Sequence, residues 1–382
     1  MKSKTLRSKL LIASISTVMS VGSLEVFSKY YYEHVVPSYL HDSAEFVLDN
    51  TQGREPKVIP YIWANYKPNP ASPQANEYGW RYGGEPKEES VFRILCLGGS
   101  TTWSDGVKDP KDSYPARLEN YLQNKGYNVD VVNGGAPGFT SAELVGTFAF
   151  RGVFTEPNLV IIHTGENDIG AFLSSSEYKS DYTHWRDVDL SIGMNNNAKF
   201  KFLWELLPSS TIRLWLTYHY KPDSFADMSV STKITAITDS LLAENDVSGR
   251  VPTGLRNNLE NMIGIAQVHD IDVVGVTFNM RPDKLNSYVP QVDNDPALKE
   301  RVTERLMFGV DTLNETIETV FSEFSYPVID FASFEPSHSE DWLDLCHLNK
   351  EGSDEKARFF GNQLIELGVL PAPYSVPVSL PQ

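Results

Sequence analysis

Cysteine is nearly absent from this chain. Cys96 and Cys346 are the two in 382 residues, and neither stands in a C-x-x-C pair. That excludes a disulfide scaffold and a cysteine-rich zinc site, and leaves two buried free thiols as the plain reading. Basic charge is scarce as well: 33 Lys and Arg against 50 Asp and Glu leave a net charge of −17. A general nucleic-acid binder needs a basic surface to neutralise phosphates, so no nucleic-acid partner is expected. Walker A and dinucleotide G-x-G-x-x-G motifs are missing, and so is any nucleotide cofactor they would signal. His163, His184, His219, His269 and His338 show no H-E-x-x-H or comparable spacing, so no metal is expected. Repeat periods and low-complexity tracts are also missing, which excludes a solenoid. What is present is a composition 41% hydrophobic and 22% charged. It suits one large domain with appendages and a full core.

The N-terminus carries Lys2, Lys4, Arg7 and Lys9, followed by the uncharged run from Leu10 to Leu24. A positive segment before an apolar one is the pattern of an export signal. The 15 uncharged residues fall short of a comfortable membrane span, which needs about 20. A frayed cytoplasmic helix is the plain alternative to export, and two export readings compete: a signal peptide cleaved near Val21-Gly22-Ser23, or an uncleaved anchor through residues 10–28. Either places the body outside the cytoplasm, in the periplasm or facing out from the membrane. Residues 1–28 are therefore set apart as signal peptide or anchor. Residues 29–90, Pro-rich and aromatic, read as an irregular N-terminal extension packed on the core.

Beyond Ser90, apolar runs alternate with helical patterns. Strands are predicted over Val91–Leu97, Val129–Val132, Leu159–Ile162, Ile271–Phe278 and Pro327–Asp330. Helices are predicted over Tyr114–Lys125, Ser141–Phe150, Leu255–His269, Lys299–Phe324 and Asn349–Leu367. Such alternation implies a parallel sheet covered on both faces. The domain is placed at residues 91–370, with a tail over 371–382. The stretch 171–252 breaks the rhythm; it is polar, carries Trp185, Trp204 and Trp215, and reads as a partly helical insertion. Ligands of open α/β sheets bind beyond the carboxyl ends of the strands, so this insertion is a candidate lid or specificity wall.

Three strands end in unusual loops on that side. The first is Gly98-Gly99-Ser100-Thr101-Thr102, where glycines permit a tight turn that exposes a hydroxyl. The second runs from Asn133 to Ser141 through Gly134, Gly135 and Gly138. The third is Gly165-Glu166-Asn167-Asp168, whose Asn amide can donate to an oxyanion. Each has an ordinary reading by itself: a helix cap, a turn, a second cap. Near the C-terminus stands Asp344-Leu345-Cys346-His347, where a carboxylate can hold an imidazole in one tautomer. A second D-x-x-H occurs at Asp181 to His184. Position separates them, because His347 follows the last strand and precedes the last helix, whereas His184 lies in the polar insertion.

Taken in order, these blocks resemble the SGNH (GDSL-like) hydrolase superfamily. Ser100 in G-G-S-T-T matches its first block, Gly138 in A-P-G-F-T-S its second, Asn167 in G-E-N-D its third, and Asp344 with His347 its last. The resemblance covers Val91 to Gly170 and Leu255 to Leu367. It extends to the membrane-proximal bacterial subgroup, which carries an N-terminal apolar segment and an N-x-x-G-[WF]-R stretch, here Asn76 to Arg81. The family's first block often has Asp before the serine, where this chain has Gly99; related members share that Gly, but a lipase assignment is put in doubt. The α/β-hydrolase elbow G-x-S-x-G fails at Thr102.

The resemblance implies a flavodoxin-like three-layer α/β/α sandwich with a five-stranded parallel sheet, the SGNH hydrolase fold. It implies a serine esterase in which Ser100 attacks an acyl carbonyl, His347 moves the proton and Asp344 orients the imidazole. The backbone N–H groups of Ser100 and Gly138 and the amide of Asn167 would form the oxyanion hole. Asp168 would brace its loop, and Trp103 and Thr102 would either line the pocket or pack. No cofactor is implied. The expected substrate is a small acyl ester, first of all acetyl, with acylated carbohydrate suggested by the tryptophans of the insertion. A lipid or thioester acylhydrolase, an envelope-polymer O-acyltransferase and a non-catalytic binding module are the competing functions. Oligomeric state is not legible.

Overall fold

The computed structural model describes residues 16–17, 19–31, 75–182, 184–185, 211 and 232–374. The chain divides into two units. One comprises residues 1–58 and 188–233, and the other residues 59–187 and 234–382.

In the first unit the described part is chiefly a helix over residues 19–31, with Met19, Val21, Leu24, Val26 and Phe27 exposed. Its Glu25 accepts hydrogen bonds from the Thr211 backbone (3.2 Å) and hydroxyl (3.0 Å). Among the described residues, no helix is long and apolar enough to cross a membrane. The charged residues from Lys2 to Lys9 lie outside the described residues, as do Trp204, Trp215 and most of the predicted insertion.

The second unit is built on five strands: β1 (Phe92–Gly98), β2 (Val129–Gly135), β3 (Leu159–His163), β4 (Asp272–Val276) and β5 (Val328–Ile329). All pair in parallel, in the order β2-β1-β3-β4-β5. The helices are α1 (Ser100–Trp103), α2 (Tyr114–Asn124), α3 (Ser141–Phe150), α4 (Asp168–Leu173), α5 (Thr232–Leu242), α6 (Thr253–Val268), α7 (Pro296–Glu323) and α8 (Lys350–Glu366).

Strand residues alternate between two cores, because successive side chains point to opposite faces. Leu95, Leu97, Val132, Val160 and Ile162 pack with α3, α4, α6 and α7 through Leu144, Phe172, Leu259 and Leu313. Ile94, Cys96, Val131, Ile161 and Val276 pack with α2 and α8 through Leu118, Leu122, Phe360 and Leu364. A sheet covered on both faces needs strands that are apolar throughout, and β1 is buried from Arg93 onward. The result is the expected three-layer α/β/α sandwich with its five parallel strands.

Element ends differ from the pattern for local reasons. Helix α7 begins at Pro296 rather than Lys299 because Asp295 caps Leu298 N (3.0 Å) and Pro296 suits the first helical turn. Strand β2 takes in Asn133, Gly134 and Gly135, which pair with Cys96, Leu97 and Gly98, so the second loop starts later than predicted. Strand β4 stops at Val276, and Phe278 N donates instead to the Asn314 side chain (2.9 Å).

The predicted insertion starts too early at residue 171. Ala171, Phe172 and Leu173 finish α4 fully inside the core, and Leu241 and Val247 are buried there too. Of the predicted extension, residues 75–90 are described. Tyr82 bridges to Asn133 at the sheet, and Trp80 and Arg81 are buried. In the predicted tail, Tyr374 N donates to Gly126 O (2.8 Å).

Candidate active site

Strand β1 delivers Ser100 to the carboxyl edge of the sheet. Gly99 occupies the N-cap position and Ser100 the first position of α1, and no side chain caps this helix. The serine hydroxyl is therefore not spent on a cap. Its Oγ lies 2.7 Å from His347 Nε2. His347 sits on the turn before α8, and its Nδ1 lies 2.9 and 2.8 Å from the two oxygens of Asp344. The same carboxylate accepts the backbone N–H groups of Cys346 (3.0 Å) and His347 (2.9 Å), so one side chain shapes the turn and grips the ring. The turn is anchored outside itself by Leu343 N to His347 O (2.8 Å) and Arg281 N to Leu345 O (2.7 Å).

These partners assign the tautomer. Nδ1–H donates to Asp344, which leaves the Nε2 lone pair facing the Ser100 hydroxyl. Burial alone would lower the His347 pKa, but its hydrogen-bonded partners, Asp344 among them, more than offset it and hold it well above the ordinary value. Burial also pushes the Cys346 thiol up, so the thiol stays neutral and Asp344 is the charge that matters. The Asp344 carboxyl is desolvated by burial, yet its bonds to His347 and to backbone N–H groups keep it below its ordinary range. An imidazole held in this way can take a hydroxyl proton and keep the positive charge.

The second and third loops bring Gly138 and Asn167 to the same edge. Gly138 has a φ of 70°, a left-handed conformation that lets its loop fold back before α3. Asn167 stands at the start of α4 but makes no capping bond. Its Nδ2 donates one hydrogen to Phe139 O (2.9 Å), which fixes the amide plane and leaves the second hydrogen to another acceptor. A Cβ on Gly99 would meet that Nδ2 at 2.5 Å. A side chain at position 99 would thus displace the Asn167 amide from where it stands. Asp168 braces the loops: fully buried, it accepts from the Ser141 hydroxyl (2.5 Å), Ser141 N (3.1 Å) and the Tyr182 hydroxyl (2.7 Å).

Other sequence candidates fall elsewhere. Thr102 and Trp103 are both buried. Trp185 is partly buried and packs on the core with its ring edge against Gly170. In the second D-x-x-H, His184 accepts from Lys179 N (3.2 Å) at Nδ1 and donates from Nε2 to Ala171 O (2.9 Å). Both of its nitrogens are committed to backbone. Ligand atoms of Asp344, Cys346 and His347 lie within 4.8 Å of one another. There His347 Nδ1 and the Asp344 carboxylate are spent on each other.

Arg81, from the Asn76 to Arg81 stretch, has a structural role that spacing alone did not reveal. Its guanidinium lies 4.6 Å from the Trp103 ring centroid and donates to the carbonyls of Ser104 (3.5 Å) and Val107. It clamps the segment that leaves the Ser100 helix. A buried arginine inside a motif was the available signal. Tyr288 also stands near the site; burial, with Cys346 and Asp344 beside it, pushes its hydroxyl pKa up.

A sequence model of the GDSL-like Lipase/Acylhydrolase family matches residues 96–354. No curated protein sequence matches the chain. Among solved structures, a lipase/acylhydrolase from Enterococcus faecalis is 16% identical, with a TM-score of 0.42, over 75% of this chain and 100% of that one. A psychrotrophic esterase from Pseudoalteromonas sp. is 10% identical (TM-score 0.39), over 72% of this chain and 97% of that one. A variant acetyl-xylooligosaccharide esterase from Geobacillus Stearmophilus is 16% identical (TM-score 0.39), over 72% of this chain and 94% of that one. At such identities and scores these likenesses carry no argument about activity. The family match spans well over half of the chain and stands without them: this protein belongs to the GDSL-like lipase/acylhydrolase family and is a serine ester hydrolase.

Proposed function

We propose that the chain hydrolyses small carboxylic esters, acetyl esters first, through an acyl-enzyme on Ser100. The observation that carries this reading is the unbroken line from Ser100 Oγ to His347 Nε2 (2.7 Å) and from Nδ1 to Asp344 (2.8 Å). Ser100 Oγ attacks the acyl carbonyl while His347 Nε2 takes its proton. The carbonyl oxygen becomes an oxyanion, held by the N–H groups of Ser100 and Gly138 and by the Asn167 amide. Asp344 stabilises the imidazolium. Collapse breaks the ester C–O bond, and His347 returns the proton to the leaving alcohol. Water then attacks the acyl-enzyme with His347 as base, which releases the carboxylate and restores Ser100.

Small acyl groups are favoured because the stretch after β3 is polar and offers no long apolar run to line a lipid groove. Acylated carbohydrate is the proposed class of natural ester, and Trp204 and Trp215 of that stretch are the candidate sugar platforms. Export is proposed from the Lys2–Lys9 charges before an uncharged run. The test is hydrolysis of aryl esters from acetyl upward by wild type and by Ser100→Ala. Acetyl turnover that falls by about 10⁴-fold or more in the variant is expected. Equal rates in both would remove Ser100 as nucleophile. A preference for long chains would favour the lipid reading, and an acylated product with an added acceptor alcohol would favour transfer.

A further inference from the structure

Directly beneath Ser100 lies a cluster of buried ionisable groups that the proposed mechanism does not use. Lys356 of α8 is 2% exposed, Glu166 of the third loop 4% and His163 at the end of β3 0%. A buried lysine is costly unless its ammonium finds partners. Here Nζ donates to Thr101 O (3.3 Å) and stands 3.3 Å from His163 Nδ1. The rings of Tyr114 and Phe331 face it at 4.2 and 4.6 Å, which suits a cation. On the far side of the His163 ring, Nε2 lies 3.2 Å from Glu166 Oε1, although not in line for a hydrogen bond. Glu166 Oε1 accepts the Thr101 hydroxyl at 2.7 Å.

The position of Glu166 gives this cluster its meaning. Thr101 follows Ser100, and Glu166 precedes Asn167. One carboxylate therefore ties the turn that holds the nucleophile to the loop that holds the amide donor. An ionised carboxylate is the stronger acceptor for the Thr101 hydroxyl. In a buried site a cation near it favours that ionised form.

The groups facing Lys356 leave Glu166 in the anionic role. Cys96 of β1 is held as a thiol, its pKa pushed by burial up to about 12. Tyr114 of α2 is pushed well above its ordinary value, also by burial. His163 is kept neutral by burial and by Lys356. Cys346 is kept neutral by burial. Asp168 stands behind Glu166 and is engaged by Ser141 and Tyr182. For Glu166 itself, burial raises the pKa on balance, against the opposing pull of the Thr101 hydroxyl and Lys356. Lys356 stands at about 7, lowered by burial against the opposing pull of Glu166.

We propose that Lys356 is a positioning residue for ester hydrolysis: its buried ammonium keeps Glu166 ionised, and Glu166 holds the Ser100 turn and the Asn167 loop at the spacing the oxyanion needs. It acts through Glu166 and touches no substrate. This rests on the serine-esterase reading of the site.

The test compares Lys356→Met, Glu166→Gln and the double variant, each checked for a cooperative thermal melt. In Lys356→Met, Glu166 loses its cation and takes up a proton. At neutral pH kcat on an aryl acetate should fall by about tenfold or more, with KM within about threefold, since displacement of a positioned group by even 1 Å can cost about 10²-fold. Raising the pH should recover activity as Glu166 ionises, so the acid limb moves up. Adding Glu166→Gln removes the titrating group and should abolish that extra pH dependence. A merely structural lysine would change stability and leave the limb where it was.

Infrared difference spectra between Lys356→Met and the double variant supply a readout free of catalysis. A protonated-carboxyl band at neutral pH is expected from Glu166. A folded Lys356→Met with wild-type kcat and an unmoved acid limb would overturn the proposal, as would a missing carboxyl band. Should Lys356→Met fail to fold, the neutral double variant is compared with Glu166→Gln. Equal kcat in those two is then expected, and a further loss on removing the lysine would overturn the role through Glu166. A wild type inactive on every ester, with the carboxyl band present, would sink the esterase reading and leave the Lys356–Glu166 pairing standing.

Discussion

Two stretches of this chain share the pattern Asp-x-x-His and meet opposite ends. At Asp344 and His347 the carboxylate reaches Nδ1 of the ring, and Nε2 is left for Ser100. At Asp181 and His184 the ring is taken by backbone on both sides, by Lys179 N at 3.2 Å and by Ala171 O at 2.9 Å. The titration directions differ accordingly. His347 is carried well above its ordinary value against the effect of burial, whereas His184 is lowered by burial first, with Arg250 adding to it. A ring whose Nδ1–H is held by a carboxylate can take a proton from a hydroxyl at Nε2 and give it back there. A ring that bridges two backbone groups serves only to hold a loop. Identical spacing thus leaves one ring placed to serve as the proposed base and makes the other a brace.

The largest expected contrast comes from replacing each ring. His347→Gln should lower ester turnover by about 10⁴-fold or more, while His184→Gln should stay within about threefold and show its effect in the melting temperature. A comparable loss of turnover in both would erase the distinction. Replacing the carboxylates comes next. Asp344→Asn should cost about 10⁴-fold in kcat by the precedent of the Ser-His-Asp template.

The pH dependence sharpens the same point. The rate follows the neutral fraction of His347, and the folded protein raises that pKa, so the acid limb should lie above about 6.5. In Asp344→Asn the limb should move to lower pH, because the charge that favours the imidazolium is gone. Asp181→Asn should leave the limb in place. A limb that moved with Asp181 would tie the wrong pair to catalysis.

Smaller effects should come from the groups around the serine. Asn167→Ala removes one donor and should cost about 10²–10³-fold in kcat with little change in KM. Gly99→Ala adds a methyl where Asn167 Nδ2 stands 2.5 Å away. The amide must shift, and a loss of up to about 10²-fold is expected. A double variant with Asn167→Ala should be no worse than Asn167→Ala alone if displacement of the amide is the whole effect.

The layered fold was legible because each strand is an apolar run and each helix repeats its apolar residues at helical spacing. Ser100, Asn167 and the Asp344–His347 pair could be found because each follows a strand and ends up at one edge of a parallel sheet. Helix starts such as Pro296 were missed where a cap, here Asp295, extends the helix past its apolar stripe. The core role of Ala171 to Leu173 was missed because a short helix beside polar sequence gives too few turns to show a period.

By itself, then, the sequence determined which residues become strands, which helices cover them, and which side chains of the right chemistry collect at the carboxyl edge. Those follow from local periodicity and from the direction of parallel strands. Only the tertiary structure decided which of two identical Asp-x-x-His stretches meets a serine, that Gly99 stands against the Asn167 amide, and that Lys356 lies beneath Ser100 with the His163 ring between it and Glu166. Those depend on distances between residues far apart in the chain, such as the 2.7 Å from Ser100 to His347, and packing alone sets them.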